Sequence, residues 1–164
     1  MLKRALVTWN GAMRFTGSND DGRTLVLDDR DGGGGPSPLQ GLLMSLAGCS
    51  AMDVISILEK KRQRVTSYAV EVEGDQREAY PRIFPRMTVT HVLDGPKLDE
   101  VAVRRAIFLS ATKYCPVSAT ISAGPTEIHH RFRITRGATA DGEARELEGE
   151  VVVTGPYRSV DPVE

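Results

Sequence analysis

From Leu39 to Lys61 the chain repeats apolar residues at helical spacing, and this segment limits the available folds more than any other. Leu39, Leu42, Leu43, Leu46, Ala47, Val54, Ile57 and Leu58 fall on one stripe of a helix. Met44, Ala51 and Ile55, with Gly41 and Gly48, make the opposite side apolar as well. A helix apolar all round has to be covered on most sides, so the spacing predicts a long, buried, central helix. Gly41 and Gly48 share a face, although each interior glycine costs roughly 1 kcal/mol against alanine. They read as a close packing contact, for which a second subunit is one candidate. Ser45, Gly48, Ser50, Asp53 and Ser56 interrupt the run from Leu42 to Leu58, which argues for a protein core rather than a membrane span.

Around this helix the pattern alternates. Ala5, Val7 and Trp9 read as a strand, Asn10-Gly11 as a hairpin turn, and Met13-Arg14-Phe15 as the start of the return strand. Asn19-Asp20-Asp21-Gly22 is a second turn, and Thr24 to Leu27 completes a β-meander. A glycine-rich loop, Asp28 to Pro38, leads into the helix; with no Gly-Lys-Ser/Thr ending it reads as a connector rather than a phosphate cradle. Beyond the helix, strands are expected around Tyr68–Glu73 and Met87–Leu93, a helix over Leu98–Ala111, a short helix from Cys115-Pro116 to Ser122, and a strand over Ile128–Ile134. The expected class is α+β: a meander, a central helix, antiparallel strands and a second helix pair. Residues 1–135 form the domain. Residues 136–164 form a peripheral extension with one further strand near Glu150–Thr154.

At 164 residues, 40% hydrophobic and 26% charged, the chain suits one globular domain. Its net charge of −1 is spread along the sequence, which argues against a nucleic-acid surface. Lys60-Lys61-Arg62 sits where a helix should end and favours its dipole. The first residues lack the apolar core of a signal peptide, so the cytoplasm is the expected compartment.

Two cysteines in a reducing compartment point to thiol chemistry or to buried small residues more than to a structural disulfide. Cys49 lies at the edge of the leucine stripe beside Ser45, Asp53 and Ser56, which suits a mostly buried but reachable thiol. Asp53, one turn on, would by itself raise the thiol pKa, so a reactive Cys49 needs a cation to offset it. Cys115 precedes Pro116, a residue favoured at the first helical position, which makes Cys115 an N-cap whose pKa the helix end would lower. Two such thiols, if close, can reduce a peroxide through a sulfenic acid and a disulfide.

The run Gly35-Pro36-Ser37-Pro38-Leu39-Gln40-Gly41-Leu42-Leu43-Met44-Ser45-Leu46-Ala47-Gly48-Cys49 resembles the central-helix motif of the OsmC/Ohr family (osmotically inducible protein C and organic hydroperoxide resistance). Ser50-Ala51-Met52-Asp53-Val54 resembles its OsmC-like branch, and Lys113-Tyr114-Cys115-Pro116-Val117-Ser118 its second-cysteine motif. The resemblance covers about residues 1 to 135. It implies an intertwined homodimer with sites at the subunit interface. It also implies reduction of organic hydroperoxides, with Cys49 peroxidatic, Cys115 resolving and an external dithiol reductant of lipoyl type. An arginine that holds the thiolate and polarises the peroxide is implied as well; Arg14 is the candidate, with Arg30 in reserve. The glutamate that orients this arginine in the family is replaced, at Leu39 or Gln40, by a residue without charge. Gln40 can still hydrogen-bond an arginine, more weakly than a carboxylate by ~1 kcal/mol.

His91, His129 and His130 raise the question of a metal. His129 and His130 point to opposite faces of a strand and cannot share one ion without distortion, so no metal site is expected. No flavin or nicotinamide motif is present, and no cofactor is expected. The competing reading is a non-catalytic relative that binds an apolar ligand in the interface cavity; the missing glutamate favours it, the two cysteines the enzyme.

Overall fold

A computed structural model of the chain describes residues 2–29, 33–137 and 144–153. The elements follow in the order β1 (Ala5–Trp9), β2 (Arg14–Asn19), β3 (Thr24–Asp28), α1 (Pro38–Lys60), β4 (Ser67–Asp75), β5 (Arg86–Asp94), α2 (Glu100–Leu109), a π-helical turn (Ser110–Tyr114), α3 (Pro116–Ser122), β6 (Glu127–Arg136) and β7 (Arg145–Val151). The chain divides into two compact units, Met1–Met44 and Ser45–Glu164.

In the first unit, β1, β2 and β3 form an antiparallel meander with Val7 opposite Gly17 and Arg14 opposite Asp28. The first hairpin turns at Gly11, whose φ of 97° belongs to the left-handed region that glycine enters without steric cost. α1 starts with a capping box: the Ser37 hydroxyl accepts from the Gln40 N–H at 3.2 Å, and Gln40 Oε1 accepts from the Ser37 N–H at 2.8 Å. Every residue of β1 is exposed, including Trp9 at 65%.

The second unit holds the main core. Its sheet runs β4-β5-β6-β7. β4–β5 and β6–β7 pair antiparallel, but β5 and β6 pair in parallel, where an antiparallel partner was expected from the sequence. The helical connection through α2, the π-turn and α3 is the reason, since a crossover of that length returns the chain in the same direction. Val54 and Leu58 of α1, Ala102, Val103, Ala106 and Ile107 of α2, and Leu93, Phe132 and Ile134 of the sheet form one buried cluster. Leu58 has no exposed surface, and burying such a side chain contributes roughly 1.5–3 kcal/mol.

Two expectations need correcting. Within one chain α1 is buried along a single stripe, Leu46, Ser50, Val54 and Leu58, because the surrounding elements cover only that side; Met44 and Met52 stay 59% and 73% exposed. By length and composition alone α1 is apolar enough to cross a membrane, yet its buried stripe belongs to the protein core, as its polar interruptions suggest. The extra strand lies at Arg145–Val151 rather than near Glu150–Thr154, as the edge strand of the second sheet. Leu147 and Val151 alternate inward and pack on the core cluster, with Glu146, Glu148 and Glu150 outward. The apolar run Val151-Val152-Val153 follows where this alternation ends. Thr154 lies outside the described residues.

Candidate active site

Two sequence neighbours on α1 start the site. Cys49 and Asp53 are one turn apart and share a face, which the stripe geometry of a helix requires of an i, i+4 pair. The π-turn supplies the rest. Its extra residue lets the Cys115 N–H reach the Ser110 carbonyl five positions back, at 2.9 Å, so Ser110 and Cys115 return to one side. The two sulfurs and a carboxylate oxygen of Asp53 all lie within 4.8 Å of one another. The cysteines are not bonded to each other; Cys49 is half-buried and Cys115 buried.

Cys115 caps α3 as its sequence predicts, with Pro116 next and its sulfur accepting from the Ser118 N–H at 3.3 Å. The expected lowering of its pKa does not follow. Burial is the largest influence and, with the neighbouring Cys49 and Asp53, pushes the thiol up to about 12, against which the Ser118 N–H works alone. A seven-residue helix offers too little to offset that desolvation.

Behind the thiols runs a chain of polar groups, buried at Ser50, His91 and Ser110 and half-buried at its ends, Asp53 and Tyr68. Asp53 Oδ2 accepts from the Ser110 hydroxyl at 3.0 Å, Ser110 meets Ser50 at 3.4 Å, Ser50 meets His91 Nε2 at 3.4 Å, and His91 Nδ1 meets the Tyr68 hydroxyl at 2.7 Å. Ser110 must spend its only proton on Asp53, so Ser50 donates to Ser110 and His91 Nε2–H to Ser50. That leaves His91 Nδ1 to accept from Tyr68. One tautomer therefore satisfies all four bonds, and every donor points towards the carboxylate. Burial raises the Asp53 pKa despite the Ser110 bond. Burial first, and His130 second, lowers His91 to about 3, so the imidazole is neutral. Tyr68 is raised, by burial and then by Asp53.

The sequence reading treated His91 only as a metal candidate and did not single out Ser50, Ser110 or Tyr68. The signal for Ser50 was its place in the i, i+4 series Leu46, Ser50, Val54, Leu58, where a hydroxyl needs a buried partner. The cysteine–aspartate cluster is one donor short of a closed tetrahedral zinc shell. A groove of 580 Å³ between α3, β6 and β7 is lined by Ser118 and His130, among others, and not by the thiols.

Arg14 and Gln40 belong to the first unit, Cys49 and Cys115 to the second. Arg14 is exposed at the start of β2, its guanidinium carbon 3.6 Å from where a Cβ on Gly34 would stand. The Gln40 carbonyl oxygen is occupied by the capping box, with Leu39 beside it in the first turn of α1. Arg30 lies outside the described residues.

The sequence model of OsmC-like proteins matches residues 30–131. The chain is also 36% identical to Protein YhfA of Escherichia coli (strain K12), over 80% of this chain and 97% of that one. It belongs to the OsmC-like family. The OsmC-like protein of Mycoplasma pneumoniae superposes with a TM-score of 0.71 at 17% identity, covering 82% of this chain and 97% of that structure. The organic hydroperoxide resistance protein OhrB of Bacillus subtilis gives a TM-score of 0.54 at 17% identity, over 80% and 98%. At those identities the two structures speak for the OsmC-like fold alone. The family match ends at residue 131, before β7.

Proposed function

We propose that this OsmC-like chain is a thiol-dependent peroxidase that reduces organic hydroperoxides through Cys49 and Cys115. The observation that carries the reading is the pair of unbonded sulfurs within 4.8 Å, one half-buried and one buried. The more accessible Cys49 is the peroxidatic residue: its thiolate attacks the terminal peroxide oxygen, the O–O bond breaks, and the alkoxide leaves as alcohol after taking a proton. Cys115 then attacks the Cys49 sulfenic acid, expelling water and closing a disulfide, which an external dithiol reopens by exchange. Arg14 is the cation assigned to the thiolate and the peroxide.

A homodimer in the cytoplasm completes the proposal. The exposed apolar side chains of β1 (Leu6, Val7, Trp9) and of α1 (Met44, Met52) favour a second copy, as does the open space beside Gly48. A non-catalytic protein binding an apolar ligand is the second reading, favoured by Gln40, whose oxygen is engaged in the helix cap.

The test is consumption of tert-butyl hydroperoxide with dihydrolipoamide as reductant, for the parent chain, Cys49→Ser and Arg14→Ala. Turnover that disappears with Cys49→Ser and falls at least tenfold with Arg14→Ala is expected. Parent protein that leaves the peroxide untouched would transfer the argument to ligand binding.

A further inference from the structure

The polar chain behind the thiols does nothing for the attack on peroxide, yet it ends beside both sulfurs. Cys115 has to lose its proton when it attacks Cys49. Burial, the largest influence on it, keeps the Cys115 thiol protonated at neutral pH. A base must therefore take the proton during the attack. His91 is too far along the chain, with Ser50 and Ser110 between it and Asp53. Tyr68 lies beyond His91. The carboxylate of Asp53 is within 4.8 Å of both sulfurs, and the Ser110 bond fixes its orientation. Because every donor in the chain points towards it, Asp53 is held as an acceptor. Burial, by raising its proton affinity, makes it a stronger base than a surface carboxylate.

We propose that Asp53 is the acid–base residue of disulfide closure, taking the Cys115 proton and returning it to the departing hydroxide. The proposal rests on the peroxidase reading. The Cys115 S–H bond breaks towards Asp53 as the Cys115 sulfur bonds to that of Cys49. The Cys49 S–O bond breaks with its electron pair on oxygen, and the hydroxide takes the proton from Asp53 and leaves as water. Asp53 ends ionised as it began, and no further oxidant or proton is consumed. Ser110, Ser50, His91 and Tyr68 are positioning residues that keep the carboxylate turned to the sulfurs.

The experiment mixes reduced parent, Asp53→Asn and Asp53→Glu proteins rapidly with one equivalent of tert-butyl hydroperoxide. It follows the Cys49 sulfenic acid by dimedone trapping and mass spectrometry, and the disulfide by loss of free thiol. In Asp53→Asn the sulfenic acid should accumulate, disulfide closure should slow at least tenfold, and excess peroxide should convert the trapped species to sulfinic acid. Asp53→Glu should recover part of the closure rate. A second arm loads Cys49 with thionitrobenzoate and times its displacement by Cys115; this needs the same deprotonation but no peroxide. Closure at the parent rate in Asp53→Asn, in either arm, would overturn the role of Asp53. A parent Cys49 that never forms the sulfenic acid would sink the peroxidase reading instead, while the second arm still decides the inference.

Discussion

Acidification should unfold this protein through two histidines before most of its carboxylates titrate. His91 and His130 are 0% and 3% exposed, and burial lowers them to about 3 and about 4, from 6.5. For His130 the second influence is His129. Both shifts are downward, so below about pH 6.5 the unfolded chain binds protons that the folded chain refuses, and stability falls with pH. The loss runs from the unfolded value down to the folded ones. Each histidine contributes about 1.4 kcal/mol per pH unit in that window, or roughly 5 kcal/mol for the two by about pH 4.5. The pair repel one another when charged, so the shifts are partly shared and this is an upper figure. Asp53 acts in the opposite sense, since its raised pKa favours the protonated fold. Against a typical domain stability of about 5–15 kcal/mol, the effect is large. Urea unfolding followed by circular dichroism at fixed protein concentration, from about pH 7 to about pH 4.5, measures it. His130→Gln, which cannot titrate, should flatten the profile by about half. A stability constant within ~1 kcal/mol over that range, or a His130→Gln profile that matches the parent, would refute the reasoning.

Gly149 faces Phe132, and a Cβ there would stand 2.6 Å from that buried ring, so Gly149→Ala should lower stability by about 1–3 kcal/mol in a melting experiment. Gln40→Ala should cost ~1 kcal/mol by opening the capping box. Gln40→Glu should keep the box and, if Gln40 holds the arginine-orienting position, speed hydroperoxide reduction about tenfold per 1.4 kcal/mol of ion pairing. Leu39→Glu in parallel tests the neighbouring register, and Arg14→Ala should cancel either gain. Light scattering at micromolar concentration should return twice the chain mass; a stable monomer would remove the dimer proposal.

Most elements were legible because their patterns are local. Asn10-Gly11 marks the hairpin, and Cys115-Pro116 marks the start of α3. The polar chain was hidden because its members come from α1, β4, β5 and the π-turn, and only the fold brings Ser50, Tyr68, His91 and Ser110 together. The Cys115 pKa was misjudged for a related reason: capping is visible in sequence, whereas burial by other elements is not. β7 was misplaced because three consecutive valines outweighed the weaker alternation of Leu147, Gly149 and Val151.

The π-turn has a consequence for how this chain tolerates changes in length. An α-helix brings residues four apart onto one face, and the π-turn does the same for residues five apart, so deleting one of residues 111–114 would let α2 continue as regular helix with Ser110 and Cys115 still on one side. One inserted residue would instead carry Cys115 by about 100° around the axis, away from the face it shares with Ser110, with most of the core intact. The pairing of the two thiols should therefore tolerate a one-residue deletion here and be lost on a one-residue insertion that spares the fold.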